Sequence, residues 1–139
     1  MKLDTLVLTE AEEHNKAMEY VISAVMDMSV RSHFWHWQTK SYAAHEAFGK
    51  FYENITEHMD SLAEQFMGAG GEFNVGIDVR MNAFSVEGAV EDLNKFKEKL
   101  VDLETVLMKD ENGQFHGVAD TLIDIIKEVD MLQYRLTLK

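Results

Sequence analysis

The chain has 139 residues, no proline, no cysteine and a formal net charge of -12 at pH 7. That length suits one domain with its own core, and the lack of cysteine excludes a disulfide scaffold or a thiolate zinc site. The negative charge argues against DNA binding, which relies on Lys and Arg to neutralise phosphates, and favours attraction of cations.

The opening MKLDTLVLTE lacks the basic-then-apolar pattern of a secretory signal. No stretch approaches the roughly 20 apolar residues of a membrane span. The expectation is a cytoplasmic protein with no membrane partner.

Glycines at 68, 70, 71 and 76, and again at 113 and 117, punctuate the chain. Thr9 with Glu12 has capping-box spacing and opens a helix over about 9–39. Its apolar stripe is Met18, Val21, Val25, Met28, Ser32 and Trp35. Ser41 is the N-cap of a second helix, about 41–68, striped by His45, Phe48, Tyr52, Ile55, Met59, Leu62 and Phe66. The few residues between the two imply antiparallel packing. Gly70 to Phe84 shows no sustained period and reads as a long crossover with at most one short helical turn. A third helix, about 85–110, opens at Ser85 and carries Val90 or Ala89, Leu93, Phe96, Leu100, Leu103 and Leu107. A fourth, about 117–137, carries Val118, Leu122, Ile125, Val129, Leu132 and Leu136. The predicted fold class is therefore all-α. One domain over 1–139 forms a ferritin-like four-helix bundle with its long connection between helices two and three.

Candidate chemistry is concentrated between Ser32 and Glu64. Four of the six histidines lie there, His33, His36, His45 and His58, with both tryptophans. His33 and His36 precede the helix junction and His45 follows it, so these imidazoles can approach one another. Glu53, Glu57, Asp60 and Glu64 form an acidic stripe that flanks the core side of helix two. A solvated face is the plainer reading of that stripe.

Helix geometry divides this segment in two. His45 and Asp60 are 15 residues apart, about 22 Å along one helix, whereas metal ligands lie about 2 Å from their ion. In the antiparallel hairpin Asp60 is expected opposite about Val21 and Glu64 opposite about Ala17, and neither offers a ligand. Either the histidines and carboxylates serve different purposes, or a two-fold partner brings its Asp60 and Glu64 to this subunit's histidines. No Glu-x-x-His occurs in the chain, which argues against an ordinary di-iron centre in the bundle core. Two histidines with two carboxylates suit iron(II), with zinc and manganese as competitors. Trp37 either covers the junction or takes part in electron transfer there.

HWQTKSYAAHEAFGKFYENITEHMDSLAE resembles the signature of the Dps miniferritins. His36-Trp37, His45-Glu46 and Asp60 followed by Glu64 stand in that family's order, with Asp60 fifteen residues after His45. ADTLIDIIKEVDMLQYRL also resembles the family's last helix. The resemblance implies a homo-oligomer of two-fold pairs, up to a dodecameric shell. Its ferroxidase centre would lie between subunits, with His36 and His45 from one and Asp60 and Glu64 from the other. It also implies oxidation of iron(II) by peroxide or oxygen, and storage of the ferric product. Three departures stand out. The His36 to His45 interval is about one turn shorter than the family's, and His33 stands at the longer interval as a competing ligand. Gly49 occupies a position where many members carry a further acid. No lysine-rich tail precedes the first helix. HWQTKSY also resembles segments of short uncharacterised phage proteins, which implies a branch with altered or absent metal chemistry. The alternative function is then a ferritin-like assembly or interaction protein.

Overall fold

The computed structural model describes residues 9–74 and 76–138. The opening residues 1–8, read above for a signal sequence, lie outside the described residues. Four helices follow in order: α1 (Glu10–Gln38), α2 (Tyr42–Gly68), α3 (Val86–Met108) and α4 (His116–Arg135). No strand occurs among the described residues, and none of these helices is long and apolar enough to cross a membrane.

The helix starts follow from side-chain capping of otherwise unsatisfied N–H groups. Thr9 accepts the Glu12 N–H at 3.1 Å while the Glu12 carboxylate accepts the Thr9 N–H at 3.2 Å, the reciprocal capping box. Ser41 and Ser85 accept the N–H groups of Ala44 and Gly88. The end of α2 is a Schellman turn, with Gly71 N–H bonded to the Phe66 carbonyl and Gly70 N–H to that of Met67. Gly70 adopts φ +96° there. α3 stops at Met108, two residues before the expected end. The Asp110 carboxylate instead accepts the N–H groups of Asn112 and Gln114, which sets the turn into α4.

The four stripes meet in one core. Met18, Val25, Phe48, Ile55, Leu62, Phe66, Leu93, Leu100, Leu122, Ile125 and Val129 are among its fully buried members. In α3 the inward residue is Ala89, with Val90 half-buried. α1 packs against α2 and α3, and α4 packs against the same two, so α1 and α4 are diagonal. The result is the four-helix bundle with a long α2–α3 connection.

The crossover runs outside α1, in the same direction. Glu72 N–H donates to Asn15, Asn74 N–H to Glu19, and Ser23 to the Gly76 carbonyl. Arg31 donates to the Arg80 carbonyl at 2.9 Å while also gripping Asp27. These ties follow one ridge of α1 from residue 15 to 31, about 24 Å. Eight residues of extended chain reach about 26 Å, so little slack remains for the short helical turn anticipated there.

Candidate functional site at the α1–α2 junction

Only Thr39 to Ser41 separate α1 from α2, so the end of one helix faces the start of the other. His36 lies in the last turn of α1 and His45 in the first turn of α2. Their rings stack, with centroids 3.7 Å apart and planes 19° from parallel. His36 Nδ1 lies 2.6 Å from the His45 carbonyl oxygen, and His45 Nδ1 lies 2.7 Å from the His36 carbonyl oxygen. A carbonyl only accepts, so both rings donate from Nδ1–H. In the neutral form each Nε2 then keeps its lone pair.

The clasp has a clear local cause. The His36 carbonyl is one of the last four of α1, which no following turn of helix satisfies. His45 supplies the missing donor. In exchange His36 reaches the second lone pair of the His45 carbonyl. Each imidazole therefore anchors the backbone that carries the other.

A carbonyl that fixes one ring nitrogen is common to structural histidines and to metal-binding ones, where it leaves the other nitrogen for the ion. The stack also limits what the pair can do. An imidazole binds a metal along its ring plane, at about 2.1 Å. Two planes only 19° apart do not converge at that distance. His36 and His45 thus offer one nitrogen each and do not chelate a single ion in this arrangement.

His33 is held differently. Its ring stacks on Tyr52 at 4.1 Å and lies 4.4 Å from Trp37. Neither ring nitrogen makes a hydrogen bond among the described residues. Trp37 remains 62% exposed and Tyr42, with its ring 6.4 Å from that of His45, 78% exposed, so Trp37 covers His33 without closing the junction. A cleft of about 640 Å³ lies beside His36, lined among others by Gly49, Tyr52, Glu46, Glu53 and Arg135.

Asp60 and Glu64 are exposed on the outer face of α2. The contacts Ser29–Thr56 and His33–Tyr52 fix the hairpin register. They place Asp60 level with about Val25 and Glu64 with about Val21, one turn further along α1 than loop length suggested. Neither neighbour is a ligand, and the distance to the histidines stands. Among the described residues, no group of three His, Asp or Glu side chains is close enough to hold an ion. His58 faces α4, 4.0 Å from Glu128. His14 is buried edge-on against Phe115 at the opposite end of the bundle. Neither joins the junction.

A family model matches residues 36–136, which is 101 of the 139 residues. The chain belongs to the family of unknown function DUF5856. The DUF5856 match takes in His36, His45, Gly49, Asp60 and Glu64 and begins after His33. No curated protein and no solved structure matches the chain.

Sequence reading missed two parts of this site. The helical spacing places Tyr52 in the core stripe, yet it forms the stacking floor of His33. Gly49 stands out in the sequence for the acid it lacks, whereas in the structure it admits the His36 ring. A glycine inside a helix is about 1 kcal/mol worse than alanine, and that cost was the available signal.

Proposed function

We propose that this protein is a Dps-like miniferritin that binds and oxidises iron(II) at a site completed by a second subunit. The observation that carries the reading is the reciprocal clasp of His36 and His45, which uses Nδ1 of both rings and leaves each Nε2 lone pair for a ligand. Asp60 and Glu64 are exposed and 15 or more residues from His45 along α2, so these two carboxylates reach the histidines only from another molecule. In a two-fold pair each subunit gives histidines to one site and carboxylates to the other. One imidazole per ion, with carboxylate oxygens filling further positions, suits iron(II), while zinc and manganese compete for such donors. The carboxylates offset the ion's charge, and the net negative surface draws cations inward. Peroxide or oxygen is the oxidant, and ferric product collects within a closed assembly.

The test is complementation between subunits. One variant carries His36→Ala with His45→Ala, the other Asp60→Ala with Glu64→Ala. Each alone is expected to oxidise anaerobically loaded iron(II) no faster than buffer once peroxide is added. Mixed and reassembled, they are expected to regain activity, because each mixed pair holds one intact site. A monomer by native mass spectrometry, or a carboxylate double variant as active as the parent, overturns the reading.

One observation favours a second reading, a ferritin-like assembly or interaction protein without redox chemistry. Within a subunit, no three ligating side chains converge among the described residues. An oligomer that takes up no metal is the outcome that selects it.

A further inference from the structure

Gly49 is buried in the body of α2, and its φ is not in the positive range, so the backbone conformation does not demand glycine. Helix propensity favours alanine there. The demand comes from His36. A Cβ at position 49 would lie 3.0 Å from His36 Cε1 and 3.1 Å from Nδ1. Position 49 is also four residues after His45. In the helical ladder the His45 carbonyl accepts the Gly49 N–H, so the ring that reaches its second lone pair lies against position 49. With no side chain there, His36 Nδ1–H reaches the carbonyl at 2.6 Å.

We infer that Gly49 is the positioning residue of the junction: its missing side chain seats His36 and thereby selects His36, not His33, as the ligand for a divalent transition metal. The seating stands on geometry alone, and the ligand selection rests on the proposed metal function. His36 has the anchored Nδ1–H and open Nε2 of a bound histidine. His33 has the Tyr52 and Trp37 rings within 4.4 Å of its own and no hydrogen bond among the described residues to fix either nitrogen.

Three measurements test this. In metal-free protein, long-range nitrogen–proton NMR of the imidazoles is expected to show His36 as the Nδ1–H form, and Gly49→Ala is expected to shift that signature as the bond to the His45 carbonyl lengthens. In thermal unfolding, Gly49→Ala is expected to lower the midpoint of the parent. The same change in a His36→Ala background is expected to raise it, because the ring is gone and only the helix preference for alanine remains. In cobalt(II) titration, Gly49→Ala is expected to bind roughly 10- to 100-fold more weakly, the usual effect of losing a ligand's second anchor, and His33→Ala to bind as the parent does. An unchanged His36 signature, or the same midpoint shift in both backgrounds, overturns the seating. Equal cobalt affinity in Gly49→Ala, or lost binding in His33→Ala, overturns the ligand selection. If the parent takes up no cobalt, the metal reading fails and the selection with it, while NMR and unfolding still decide the seating.

Discussion

Removing one ring of the junction should have a cost that its structure makes calculable. His45→Ala deletes the donor to the His36 carbonyl and the stack on His36, but leaves its own backbone carbonyl available to His36. One hydrogen bond is worth about 1 kcal/mol net and an aromatic-type stack about 1 kcal/mol more, so the single variant should lose about 2 kcal/mol. His36→Ala loses the other hydrogen bond and the same stack, again about 2 kcal/mol. The double variant loses both bonds but only one stack, about 3 kcal/mol rather than about 4 kcal/mol. The coupling is therefore about 1 kcal/mol, above the scatter of unconnected pairs. Urea unfolding of the four proteins checks it, at one fixed concentration because assembly would add its own stability. Additive losses would mean that the rings do not stack in solution. A neutral His45→Ala would mean that water satisfies the end of α1 just as well.

Other changes probe how the junction is supported. Ile55→Ala, at a fully buried site on α2, should cost about 2–5 kcal/mol in the same assay. Thr9→Ala removes the capping box far from the junction and should cost about 1 kcal/mol, with the His36 NMR signature unchanged. Arg31→Met removes the guanidinium that holds the Arg80 carbonyl and Asp27. A loss of about 2 kcal/mol is expected, with faster cleavage between residues 76 and 84 in limited proteolysis. Gly68→Ala, where an added Cβ meets nothing within 4 Å, should be neutral or slightly stabilising, in contrast to Gly49→Ala.

Much of the bundle was readable because its signals are local. Spacings of three and four along each helix marked Met18, Ile55, Leu100 and Ile125 as core, and all are buried. Thr9 caps as its spacing to Glu12 indicated, and Ser41 and Ser85 cap the helices expected to open at them, because a cap depends on residues three apart in sequence. The junction was readable only as a neighbourhood. Which His36 atom meets which His45 atom depends on ring rotations and on the closeness of two helices, which no single-helix period encodes. The hairpin register shifted by one turn for the same reason. Ser29, Thr56, His33 and Tyr52 set it by contact between helices, whereas loop length only bounds it. α3 ends within two residues of its expected end, because Asp110 caps the turn that follows. The absent period from Gly70 to Phe84 did announce a crossover, but its ties to Asn15, Glu19, Ser23 and Arg31 come from the polar ridge of α1, which the apolar stripe leaves unmarked.

Those ties have a consequence for how the molecule opens. The Glu72 and Asn74 amide protons are held by exposed side-chain oxygens of α1, not by a helical or sheet ladder. Releasing them costs a few solvent-accessible hydrogen bonds and the packing of the half-buried Phe73, Met81 and Phe84 against the core. In native-state hydrogen exchange these amides should report a low-energy opening, well below that of Leu62 or Leu122. Each tie also joins residues 49 to 57 positions apart, apart from the local Arg31–Asp27 grip. The strap is therefore expected to dock after the helices have met and to detach before they part, leaving the α1–α2 hairpin and its two histidines intact while it is loose.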